Sequence, residues 1–158
     1  MDYSVFSKGS FFLLEIGEPE DNVLRLVVAE ARTGEPMDVV NSISAAPILP
    51  ATDVDPIELT WTDYVAYAVL NESFTTGDPN VTSRSMLERR PTSAFLDYVA
   101  QDTFASPDYP GPFEHWEFVC LNHVVNVAAM RAPEIRRVSP DPKWFGRDGP
   151  SNFQRSAR

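Results

Sequence analysis

Residues 23–32 read VLRLVVAEAR, which sets Leu24, Leu26 and Val28 on one parity against Arg25, Val27 and Ala29 on the other. A period of two with one firmly apolar side is the pattern of a strand that buries a single face. A second apolar run, residues 10–16, precedes it across the turn-rich cluster Gly17-Glu18-Pro19-Glu20-Asp21-Asn22. The chain therefore opens on a β-hairpin, and the remaining residues must supply an apolar layer to cover it.

Further along, Pro36, Pro47, Pro50 and Pro56 with no aromatic residue between positions 33 and 56 imply a long irregular segment, with one short strand at 37–40. Residues 59–74, LTWTDYVAYAVLNESF, give two signals. Thr60 and Asp63 resemble a helix capping box. Trp61, Tyr64, Val65, Tyr67, Val69 and Phe74 are strand-favouring types, and Leu59, Trp61, Val65, Tyr67 and Val69 share a parity broken only by Asp63, so the segment reads as one long strand. Residues 75–80 form a turn and 81–89 a returning strand. The helix signal is clearest after Pro91-Thr92, with Ser93 as N-cap and Phe95, Leu96, Val99 and Phe104 as an apolar stripe. Residues 113–128 read as one strand, bulged in the middle, and 134–138 as a short edge strand.

Strands and helices do not alternate, which excludes a parallel α/β fold. The expectation is α+β: a mostly antiparallel, strongly curved, half-open barrel-like sheet with one main helix packed on it. Residues 1–138 form the domain and 139–158 an irregular basic tail. A chain of 158 residues, 43% hydrophobic, is long enough to build such a core without staples.

Charge is unevenly placed. The net value is −10, but residues 1–130 hold 6 basic and 20 acidic side chains, net −14, while 131–158 hold 7 basic and 3 acidic, net +4. An acidic body repels nucleic acid and anionic membrane and attracts a basic protein. One cysteine, no apolar run of membrane-spanning length and no signal-like start point to the cytoplasm.

The residues with chemical potential cluster in EHWEFVCLNHVVNV, which holds Cys120, His115 and His123. On a strand, parity sets Cys120 opposite both histidines, so no joint metal or nucleophile site forms and Cys120 reads as a core residue. His115 and Glu117 share a face, but two groups do not make a metal site. Phosphate loops, nucleophile elbows and paired cysteines are missing, so no cofactor, metal or catalytic residue is assigned. Two classes of function remain. The first is a non-catalytic acidic protein-binding domain, an immunity-type inhibitor of a basic toxin or enzyme by analogy of charge and size, with Trp144, Phe145 and Tyr109 as aromatic anchors. The alternative is a small-molecule pocket or small enzyme built from His123, Asn122, Glu72 and Tyr67.

Overall fold

The computed structural model describes residues 3–40, 43–76 and 85–145, and every strand ladder among them is antiparallel. The opening hairpin forms as its alternation requires: β1 (Phe11–Glu20) pairs with β2 (Val23–Thr33) around Asn22, which takes the left-handed conformation, φ 61°. Beyond β2 lie β6 (Ile57–Thr62) and β11 (Glu134–Arg137), giving a sheet in the order β1-β2-β6-β11. The proline-rich stretch holds three short strands instead of the one expected: β3 (Met37–Val40), β4 (Ile43–Ala45) and β5 (Ile48–Pro50), the last paired with the end of β2.

Two long strands read from sequence are each two strands. Residues 59–74 break at Asp63, whose φ of 58° lies in the left-handed region. Before it, β6 runs inside the first sheet; after it, β7 (Tyr64–Asn71) forms one edge of a second sheet ordered β7-β10-β9-β8. Residues 113–128 are a hairpin, β9 (Glu114–Val119) and β10 (His123–Ala129), turning through Cys120, Leu121 and Asn122. Apolar side chains on both sides of that turn hide it, since the tripeptide carries neither glycine nor proline. The returning strand is β8 (Leu87–Arg90); residues 81–84 lie outside the described residues, as do those after 145.

Each sheet buries the parity that its sequence makes apolar. Leu24, Leu26 and Val28 of β2 and Ile57, Leu59 and Trp61 of β6 form one core with Trp116 and Phe118 of β9 and Val125, Val127 and Ala129 of β10. Phe6, from a 3-10 turn at Ser4–Ser7, meets Phe11 and Phe118 edge-on at centroid distances of 5.3 and 5.1 Å, the arrangement that aromatic quadrupoles favour. The hairpin turn of the second sheet then bonds to the first: Asn122 accepts from the Leu13 amide and donates to the Leu13 carbonyl, both at 3.0 Å, and the Leu121 amide donates to the Phe11 carbonyl.

The one α-helix among the described residues, α1 (Ala94–Asp102), starts where Ser93 caps it, its hydroxyl accepting from the Leu96 amide. It lies on the far side of the second sheet from the core, Val99 buried and the Phe95 ring 5.1 Å from His115. Phe104, expected on the helix stripe, lies past its end and is 84% exposed. Pairing closes no barrel among the described residues, and none of their helices is long and apolar enough to cross a membrane.

Asp63 tests this geometry. A left-handed residue costs an ordinary side chain about 1–2 kcal/mol, which glycine avoids and a β-branched residue meets in full. Asp63→Gly should match or exceed the parent in urea unfolding, while Asp63→Val should lose about 1–2 kcal/mol; a valine variant of parental stability would contradict the kink.

Candidate functional site

An apolar band follows β7. At its start Tyr64 and Val65 line a shallow depression of about 480 Å³ with Phe104, Tyr109 and Met130. Phe104 and Tyr109 stack at 5.8 Å with their planes 24° apart, and Tyr109 is 63% exposed. A tight turn displays that pair: Ser106 and Tyr109 exchange backbone hydrogen bonds, and the Ser106 hydroxyl accepts from the Asp108 and Tyr109 amides. Tyr67, Val69 and Leu70 continue the band at 37%, 38% and 48% exposure, and Phe74, in the 3-10 turn Glu72–Phe74, ends it at 86%. Strand parity sets Tyr67 and Val69 on the face of Val127 and Val125, and Leu70 on the other with Val124, so the band wraps both sides of the β7 edge.

Carboxylates border the band. Asp63 precedes β7 and Glu72 follows it. Glu18, near the end of β1, accepts hydrogen bonds from Tyr64 and Tyr67, whose rings meet edge-on at 5.4 Å. Burial together with that carboxylate pushes the Tyr64 hydroxyl up to about 12 and raises Tyr67 as well.

Of the four residues considered for a pocket, Glu72, Asn122 and His123 are backbone neighbours, the Glu72 amide donating to the Asn122 carbonyl, and Tyr67 lies apart from them. His123 pairs with Asn71 and Tyr67 with Val127, four residues apart along β7, or roughly 13 Å at the rise of a strand. Asn122 is engaged with Leu13. Glu72 alone of the four lines a groove, of about 460 Å³, with Leu70, Phe74, Glu117, Val119 and Asn126. Asn126, only 7% exposed, holds His115 Nε2 at 2.9 Å, and Arg90 bonds Glu117 at 2.7 Å. Asn126 stands with Asn122 and His123 in the valine run of the sequence, but its place beside Glu117 follows from the β9–β10 hairpin, which local pattern conceals. His115 is buried beneath Phe95; desolvation lowers its basicity against the raising effects of Asn126 and Glu117, which keeps the ring neutral. Burial pushes the Cys120 thiol far up, which removes it as a nucleophile at ordinary pH. Among the described residues no three of His, Cys, Asp and Glu gather into a metal-holding group.

On the outer face of the first sheet the chain satisfies its own charges. Glu58, 3% exposed, receives Arg25 Nε and Arg136 Nε at 2.6 Å each. Burial opposes its ionisation, but the two guanidinium groups prevail and hold the carboxyl below its usual range. Arg25 also reaches Glu15 at 2.7 Å, and Arg137 reaches Glu30 at 2.9 Å. Trp144, in the 3-10 turn Pro142–Phe145, donates its indole N–H to Glu15, with Lys143 3.0 Å from the same carboxylate and Arg25 6.0 Å from the ring centroid. Trp144 thus docks on its own domain, and Phe145 beside it is half-buried.

Comparison of the chain with family models, with curated proteins and with solved structures yields no match.

Glu15 gives the docked segment a pH signature. The Trp144 and Lys143 hydrogen bonds lower its carboxyl from the ordinary 4.5 to about 2. A depressed folded-state value means that the stabilisation is complete above the ordinary value and is lost as pH falls toward the folded one. Trp144 fluorescence, isolated by difference from a Trp144→Phe variant, should change between about pH 4.5 and 2, and Glu15→Gln should abolish that transition; a signal flat across this window would show that Glu15 does not hold the segment.

Proposed function

We propose that this chain is a non-catalytic, acidic protein-binding domain that occludes a basic partner, in the manner of an immunity-type inhibitor of a cationic toxin or enzyme. The observation that carries it is the apolar band along β7, bordered by Glu18, Asp63 and Glu72. On the outer face of the first sheet the carboxylates are internally paired, Glu15, Glu30 and Glu58 with Arg25, Arg136, Arg137 and Lys143. The groups with displaced proton affinity also serve the fold: Glu15 and Glu58 in ion pairs, His115 beneath the helix, Cys120 in the core. Anchoring falls to Tyr109, Phe104 and Phe74, because the Trp144 indole already has an internal acceptor. The unpaired, buried Cys120 suits a reducing compartment, and we place the protein in the cytoplasm. The half-open barrel belongs to the same reading: the Glu18 side chain bridges to Tyr64 and Tyr67 where no ladder joins β1 to β7, and that side is the opening.

A second reading rests on the groove beside Glu72. Asn126 is buried and its amide oxygen is held by His115, so its amide NH2 can donate to an acceptor of a small ligand in the groove, where Glu72 can accept from a ligand donor.

The test is a pull-down followed by binding kinetics. The partner should be basic, and its on-rate should fall steeply as salt rises past the point where the Debye length is about 8 Å, with the off-rate much less affected. Phe74→Ala should cost about 2 kcal/mol or more of binding, against under ~1 kcal/mol for neutralising any single border carboxylate. An acidic partner or an on-rate indifferent to salt would overturn the proposal. A Glu72→Ala variant that loses function while partner binding stays intact would favour the groove.

A further inference from the structure

The two larger sheets have four edges, and three of them are guarded. β11 is four residues, EIRR, three of them charged; β8 is four, LERR, also with three charges. β1 carries two register shifts, and its outer side is occupied at Phe11 and Leu13 by Leu121 and Asn122 of the β9–β10 turn. Short length, charge, bulges and covering segments are the devices that keep an edge from pairing with another chain. β7, YVAYAVLN, is eight residues with neither charge nor proline, and among the described residues it pairs only with β10.

The register tells which backbone groups that edge offers. The Glu72 amide bonds to the Asn122 carbonyl, so residues 72, 70 and 68 turn their backbone groups toward β10. The Cys120 amide bonds to the His123 carbonyl, which directs residue 123, opposite Asn71, toward β9 and agrees with this phase. Tyr67, Val69 and Asn71 therefore point N–H and C=O away from the sheet. Their neighbourhood is apolar through Tyr67, Val69, Leu70 and Phe74, and both ends are acidic, with Asp63 and Glu18 at one and Glu72 at the other.

We infer that the basic partner is captured by strand addition: an extended segment of it, apolar in the middle and carrying Lys or Arg at both ends, pairs with Tyr67, Val69 and Asn71 of β7. The backbone bonds supply affinity, the exposed apolar side chains cover alternate residues of the incoming strand, and the end carboxylates select cationic flanks. This rests on the protein-binding reading given above, and adds to it the form and register of the contact.

The probe is the peptide Lys-Val-Thr-Val-Thr-Val-Lys, titrated against the full chain by calorimetry. Val69→Pro removes one outward amide without touching a bond to β10, the position in a sheet that tolerates proline. It should weaken the peptide about tenfold or more, the scale of one or two lost hydrogen bonds. The same peptide with N-methyl groups on alternate amides should lose binding to the unmodified chain, a control that requires no variant to fold. Replacing the lysines by glutamates should weaken binding and reverse its salt dependence. Peptide binding that survives both Val69→Pro and N-methylation, or no peptide binding at all, overturns strand addition. A concentration-dependent dimer abolished by Val69→Pro also overturns it, by assigning the edge to a second copy. Equal binding of the glutamate peptide would instead sink the basic-partner reading and leave strand addition standing.

Discussion

One backbone conformation organises the molecule. Asp63 sits at φ 58°, and by turning there a single apolar run serves two sheets: β6 in the interior of the first, β7 on the border of the second. The turn is supported across the sheet, where the Asp63 amide donates to the carbonyl of Asn22, itself at φ 61°. Without the turn, strand-favouring residues would continue in one sheet and the large side chains of Trp61 and Phe118 would have no opposing layer to pack against. Among the described residues the same turn leaves β7 with a neighbour on one side only, so the fold's organising feature also leaves a strand edge unpaired there.

Electrostatics divide the surface along the same line. The contrast between an acidic body and a basic C-terminal region is partly an internal affair: β11 and the 3-10 turn after it bring Arg136, Arg137 and Lys143 onto Glu58, Glu30 and Glu15. A buried carboxylate such as Glu58 is tolerated only because two guanidinium groups satisfy it, and losing either would leave charge stranded in the sheet. The pairs on the first sheet's outer face engage Glu15, Glu30 and Glu58, whereas Glu18, Asp63 and Glu72 border apolar side chains along β7.

Much of the fold is legible in local pattern. Alternation identifies β2 and the core parity of β6, and Ser93 marks the helix start because its hydroxyl has an amide to satisfy. The two missed breaks share a cause. Strand propensity reports side-chain type, and side-chain type does not change at Asp63 or at Cys120-Leu121-Asn122; only the intrusion of Asp63 into an apolar parity hints at the first. The second depends on Asn122 bonding Leu13, 109 positions away, which no local window can contain. Of the candidate site residues, Tyr67, Glu72 and Tyr109 fall along the β7 band, Trp144 docks internally and Asn122 joins the sheets. That β7 is an edge is a property of topology and could not be read from its own sequence.

Capture of a partner depends on β7 being open, and amide hydrogen exchange followed by NMR reads this residue by residue. The Tyr67 and Val69 amides should exchange rapidly, while those of Ala68 and Leu70, bonded to β10, should be protected to near the level of the core strands. Alternating protection of this kind is the mark of an unpaired edge. Uniform protection of residues 67–70 would show that the edge is already covered, and would contradict the proposal that it receives a partner.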